Sequence, residues 1–285
     1  MDNRPLEQAI IETLSYFVYF GFAPSFVEIY CYISIKTSKK RLEKVLGSME
    51  GKKLLVSGQD KLNNESVYTL RGHRMSINNR HIRKGQTEKK LKKLQKFIKL
   101  LAKFPQIQLI GISGSCAMGN AETKDDVDFF IITAPKRMWT GRVIGLFIAN
   151  VMGARRKRGQ VTVRDLACLN MFFDGRNISV PKYKRNLYTA HEVVQMKPVF
   201  SHHAEAQKFL QKNRWISHYF PNYTIPTSRY QSVGNQNRLV GDVLEWLFRK
   251  IQLALINRHK TREIVTETQL WFFPNDFEMQ IKGRL

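Results

Sequence analysis

The sequence predicts an α+β chain: three helices and a β-hairpin first, an α/β unit around a mixed sheet in the middle, and helices toward the C-terminal end. Three observations predict it. Apolar residues repeat at helical spacing before residue 51 and then alternate in two short stretches around a polar turn. Two unbroken apolar runs, 109–112 and 129–132, stand on either side of a Gly-Ser bend, as strands covered on both faces do. From residue 201 onward the spacing is helical again. The division that follows is 1–72, 73–104, 105–200 and 201–285.

Composition narrows the function classes. With 285 residues and 43% hydrophobic content the chain can bury a sizeable core. Its 47 Lys and Arg against 23 Asp and Glu leave a formal charge of +24, which favours polyanions: nucleic acid, nucleotides or an acidic membrane surface. Cys31, Cys116 and Cys168 are odd in number and lack Cys-x-x-Cys spacing, which argues against a disulfide framework or a zinc site and fits a reducing cytoplasm. The first residues lack the order of a signal peptide. The longest apolar run, 143–154, is about half of the roughly 20 residues that cross a bilayer. A cytoplasmic location is expected.

In the first segment, Leu6, Ala9, Ile10, Leu14, Phe17 and Val18 predict a helix over 5–20, with Pro5 near its start. Phe26, Ile29, Tyr30 and Ile33 predict a second. Ser38 can cap a third, which carries Leu42, Val45, Leu46 and Met49 inward and stops at Gly51. Strands follow at 54–57 and 66–70, so the segment has the order of a winged helix. In that arrangement Lys39, Lys40 and Arg41 lie where a third helix meets DNA; they equally suit a solvated face or a protein-docking module. Over 73–104, Leu91, Leu94, Ile98 and Leu101 form one apolar face, opposite a comb of Lys89, Lys90, Lys92, Lys93, Lys96, Lys99 and Lys103. This predicts a linker helix with a wet basic side.

The chemistry gathers in the stretch 109–133. Gly114 permits a sharp bend that leaves backbone N–H groups open to an anion, and Ser115 adds a hydroxyl. Ten residues separate Ser115 from Asp126, and Asp126 and Asp128, two apart at the start of a strand, project from one face. Adjacent carboxylates repel unless a cation stands between them. Hard oxygen donors of this kind suit Mg²⁺, or Mn²⁺, carrying a phosphorylated substrate.

This pattern resembles the nucleotidyltransferase superfamily whose archetype is DNA polymerase β. The wider arrangement, with SGSCAMGN, CLNMFF and TAHEVVQMKP, resembles bacterial nucleotidyltransferase-domain proteins that begin with a winged helix. The resemblance implies a polymerase-β-like α/β domain in which Asp126 and Asp128 hold the metal and Gly114 and Ser115 bind the terminal phosphates of an NTP. It also implies a third carboxylate on the neighbouring strand as general base. Asn170 stands at that place, and an amide cannot take up a proton at neutral pH. Asp165 and Asp174, which flank this strand, are the available substitutes.

The remaining elements are read from periodicity. A helix over 139–152 would turn Trp139, Val143, Leu146, Phe147 and Val151 inward and end in Arg155, Arg156, Lys157 and Arg158, cations that suit a helix C-terminus or a triphosphate. The helix around His191 and Glu192 has Gln195 where a zinc protease needs histidine, so that site is excluded, and the pair is assigned to the core. Cys116 suits small-residue packing behind the bend. A long helix over 238–262 would bury Leu239, Val243, Leu247, Ile251, Leu255 and Ile256 and end in Arg258, His259, Lys260 and Arg262.

The first functional expectation is a nucleotidyltransferase that moves a nucleoside monophosphate from an NTP to a hydroxyl acceptor. The alternative is a non-catalytic regulator that binds DNA through the winged helix and senses a nucleotide. A third, suggested by the basic helix ends, is peripheral contact with a membrane.

Overall fold

A computed structural model describes residues 3–61, 63–157, 159–202, 204–226, 239–258 and 263–272. Three helices, α1 (Arg4–Tyr19), α2 (Phe26–Tyr32) and α3 (Lys39–Gly51), precede a hairpin of β1 (Leu55–Gln59) and β2 (Ser66–Leu70), giving a winged-helix-like unit. Its core is the expected stripe: Leu6, Ile10, Leu14, Ile29, Leu42, Val45, Leu46 and Met49 are buried together. Two caps set the helix starts. Ser25 and Glu28 form a reciprocal capping box on α2, and the Ser38 hydroxyl accepts from Arg41 N–H on α3.

The next helix, α4 (Met75–Leu101), is a strut shared by both halves of the protein. Near its start Arg80 holds the hairpin down, bonding Asp60 at 2.9 Å, Glu28 at 3.0 Å and the Ala23 carbonyl at 2.6 Å. Near its end Leu94, Phe97 and Leu101 enter the core of the central sheet.

That sheet is mixed and six-stranded. Its strands are β3 (Ile107–Ser113), β4 (Val127–Thr133), β5 (Ala167–Asp174), β6 (Lys197–Ser201), β7 (Ile264–Val265) and β8 (Gln269–Trp271), in the spatial order β6-β3-β4-β5-β8-β7. Only the β4–β5 pair is parallel. α5 (Gly114–Ala117) is one turn after β3, and α6 (Met138–Val151) connects β4 to β5. α4 and α6 contribute Phe97 and Trp139 to the core on one face, with Ile110, Phe129, Ile131 and Phe172. The other face packs Leu109, Phe130, Ile132 and Phe173 against Val193 of α7 (Leu187–Gln195) and Phe209 of α8 (Glu205–Lys212). Coverage on both faces explains why β3 and β4 read as continuous apolar runs rather than alternating ones.

Two apolar stripes lie otherwise than expected. On α6, Phe147 and Val151 are exposed at 66% and 69%. On α9 (Leu239–Asn257), the last helix among the described residues, Val243, Leu247, Ile251 and Leu255 are all exposed, while Phe248, Gln252, Leu253 and Ile256 face the core. Polar anchoring decides this orientation. Glu245 accepts from the Trp139 and Thr140 backbone N–H groups at 2.8 Å each, capping α6, and Asp242 pairs with Arg137 at 2.6 Å. The C-terminal region, expected to be helical, also returns the strands β7 and β8 to the sheet. Arg158, the segment 227–238 and the residues His259, Lys260 and Arg262 lie outside the described residues.

Candidate metal centre

The site is built where β3 ends and β4 begins. Ser113 lies opposite Asp128 across the antiparallel pair, so the bend and the second acid are neighbours by register. Gly114 has φ +62°, in the left-handed region, and a Cβ placed on it would stand 2.7 Å from Asp128 Oδ2. Glycine is therefore required twice over, by backbone conformation and by space. Its N–H donates to the Glu192 carboxylate on α7. The Ser115 hydroxyl donates to Asp125 Oδ2 at 3.1 Å, and Glu122 N–H donates to the same oxygen at 2.9 Å, which closes the loop between α5 and β4.

Asp126 and Asp128 face the same space as Cys168 of β5, with ligand atoms of the three within 4.8 Å of one another. A β-bulge in the β4–β5 pairing, between Asp128 and Phe130, puts an extra residue on β5. Asn170 occupies this stretch, and its Nδ2 donates to Asp128 Oδ1 while its Oδ1 accepts from the Cys168 thiol at 2.7 Å. Asn170 thus orients Asp128 and keeps Cys168 in its thiol form. Burial, then the charges of Asp128 and Asp126, raise the Cys168 thiol well above its usual value. Burial likewise pushes the Cys116 thiol up to about 12, and its Sγ–H points at the Asp126 carbonyl, a packing role.

The electrostatics are those of carboxyl groups crowded together away from water. Burial, then Asp126 and Glu192, raise Asp128 above the usual carboxylate range, against the opposing pull of Arg156 and Asn170. Burial pushes Glu192 up to about 7, opposed by the bond from Gly114 N–H. Arg156 is the one counter-charge drawn into the cluster among the described residues. Its guanidinium bonds Asp126 Oδ2 at 2.6 Å and reaches Cys168 Sγ at 3.5 Å.

Sequence reasoning missed Lys90. It was placed on the wet comb, yet it is 2% exposed, and its ammonium donates to Thr123 O at 3.0 Å, Asp125 O at 2.6 Å and Asp165 Oδ1 at 2.9 Å. The signal was present: Lys90 is four residues before Leu94 and seven before Phe97, on the stripe that faces inward. Glu192 was assigned to the core and Cys168 given no role, because helix α7 and strand β5 meet the bend only in three dimensions.

The substitutes proposed for the missing carboxylate are elsewhere. Asp165 is held by Lys90 and Lys93 of α4, and Asp174 stands at the far end of β5, bonded to Arg176 at 3.0 Å and to Lys136 N–H at 3.0 Å. Lys39 and Lys40 are exposed at the start of α3, remote in sequence from this cluster, and Arg41 is half-buried with a 3.4 Å bond to Asn3. The assembly is a winged-helix-like unit joined to a mixed sheet whose Asp126, Asp128 and Cys168 are able in principle to hold a divalent ion. No protein-family model matches the chain, and neither a curated protein nor a solved structure matches it.

Proposed function

We propose that the chain is a metal-dependent nucleotidyltransferase of the polymerase-β-like kind, moving a nucleoside monophosphate from an NTP to an acceptor hydroxyl. The observation that carries the reading is the close approach at the bend: Gly114 has no room for a Cβ against Asp128, and Asp126 shares that space. A divalent ion fits the donor set. Three carboxylates (Asp126, Asp128 and Glu192) stand against the single guanidinium of Arg156, and the two aspartates supply hard oxygen donors. A soft, protonated thiol such as Cys168 does not suit Mg²⁺ or Mn²⁺.

Asp126 and Asp128 would hold the ion, which when bound neutralises phosphate charge and orients the triphosphate. Asn170 fixes the Asp128 carboxylate. The Gly114 N–H and Ser115 hydroxyl are the donors nearest the acids at the bend. Phosphate oxygens engaging them would replace their present acceptors, Glu192 and Asp125. Arg156, released from Asp126, is free to pair with phosphate in the bidentate manner of guanidinium. Rate enhancement in this reading comes from positioning and charge neutralisation, since Asn170 cannot serve as a base.

One observation favours the second reading, a non-catalytic nucleotide-sensing DNA-binding regulator. Arg156 already bridges Asp126 and Cys168, as a resident cation would in a site that binds without turning over.

Pure protein incubated with each labelled NTP, Mg²⁺ or Mn²⁺ and lysate fractions is expected to label an acceptor. The Asp126→Asn/Asp128→Asn variant is expected to lose transfer by at least about a hundredfold, the scale on which removing transition-state charge stabilisation acts. Transfer by that variant at the native rate would sink the assignment. Nucleotide binding without transfer, together with sequence-preferring DNA binding, would select the second reading.

A further inference from the structure

Helix α9 is built with its polarity reversed for a helix on a water-facing surface. Glu245 turns inward to the start of α6, Gln252 is buried and donates to the Trp139 carbonyl at 3.0 Å, and Asp242, at the flank and 41% exposed, is paired with Arg137 at 2.6 Å. The outward side carries Val240, Val243, Trp246, Leu247, Ile251 and Leu255, each between 42% and 73% exposed. The cations beside that stripe are Lys250 and, just past the helix, Arg258, both exposed, while Arg249 lies at the flank on the same face as Asp242, seven residues before it. Lys250 lies over the Trp246 ring at 5.9 Å.

We propose that this face of α9 docks on an anionic lipid bilayer, with the helix lying in the interface plane. An apolar stripe with a tryptophan and a basic border is what such a surface selects, because the acyl boundary takes the apolar side chains and lipid phosphates take the cations. The chain's formal charge of +24 adds a long-range attraction of the same sign. Nucleic acid would use the cations but leaves the stripe uncovered. A second copy of the chain would cover the stripe but offers the flanking cations no anionic surface, and a dimer is one of the outcomes of the test below. No helix among the described residues is long and apolar enough to cross the membrane, so the contact is peripheral.

Flotation of the full chain with phosphatidylcholine vesicles, alone or with about one part in three phosphatidylglycerol, tests the proposal at physiological salt. Binding is expected to the anionic vesicles only, with a blue shift of tryptophan emission that the Trp246→Phe variant reduces. Leu247→Glu/Ile251→Glu is expected to lower the partition coefficient at least about tenfold, while its melting temperature stays near that of the native chain because both side chains are exposed. Arg249→Glu/Lys250→Glu is expected to lose the preference for anionic vesicles. Failure to bind anionic vesicles, or undiminished binding by Leu247→Glu/Ile251→Glu, overturns the proposal. So does a dimer in sedimentation equilibrium that this double variant dissociates. None of these measurements involves nucleotide, so the outcome is independent of the transferase reading.

Discussion

At Gly114 two constraints meet on one Cα atom, a left-handed backbone angle and a carboxylate oxygen where a side chain would begin. Alanine there would strain the backbone by about 1–3 kcal/mol and push Asp128 away from Asn170. Gly114→Ala is therefore expected to lower stability by that amount in urea titration and to weaken Mg²⁺-dependent nucleotide binding as well. A variant with native metal-dependent binding would show that the bend and Asp128 act independently. Asn170 depends on context in the same way. Its amide contributes no proton chemistry, yet the bulge on β5 places it where it joins Asp128 to Cys168.

Among the elements, α4 decides most about the site without belonging to it. Its Lys90 gathers two backbone carbonyls of the 123–125 loop and the Asp165 carboxylate, so the loop carrying Asp126 is anchored from below. Lys90→Met keeps the length and apolar stem of the side chain but leaves those acceptors without their donor. It is expected to cost about 3 kcal/mol, the low end for breaking a buried pair, because Lys93 still holds Asp165. Urea denaturation measures this, and a loss below about 0.5 kcal/mol, the size of an ordinary surface substitution, would refute the anchoring role. For α9, hydrophobic spacing alone points the wrong side inward. The buried bonds of Glu245 and Gln252 outweigh it, since each would otherwise be a polar group set against the core without a partner.

For the whole molecule, the junction between the winged-helix-like unit and the sheet unit is aromatic and ordered. Tyr16 of α1 stacks on His191 of α7 with centroids 3.7 Å apart, and Phe17, Tyr32 and Phe220 surround the same ring. Arg83 of α4 adds polar ties, bonding Asn120 Oδ1 at 3.1 Å and Glu122 at 2.7 Å. Burial holds His191 well below its usual pKa, and its Nδ1 lies 3.2 Å from Gln195 Nε2, which suits the neutral ring. In the unfolded chain this imidazole takes a proton near pH 6.5. Its contribution to stability is therefore complete above about pH 6.5 and is lost as pH falls, by about 1.4 kcal/mol per unit until the folded value is reached. Glu192, raised to about 7, works in the opposite sense, losing stability as pH rises from its unfolded value through 7. The His191 part is isolated by comparison with His191→Phe, whose stability relative to the native chain is expected to improve from pH 7 to pH 5. Parallel profiles for the two proteins would show that His191 is not the buried, neutral ring described.

What the sequence determined by itself was local. Helical spacing and the Ser25 and Ser38 caps set the first three helices, and the doubly apolar runs around the bend set β3 and β4, because capping and periodicity act over a few residues. The same locality made Gly114, Ser115, Asp126 and Asp128 visible as one motif. Tertiary structure alone decided that Glu192 and Cys168 meet that motif, that Arg156 of the basic run is the cation that pairs with Asp126, and that Lys90 anchors the loop before it. They come from three separate elements and a loop, and only the antiparallel register of β3 with β4, the parallel pairing of β5 and the crossing of α4 and α7 bring them within reach. Electrostatic contact is made through space, and spacing along a chain carries no record of it.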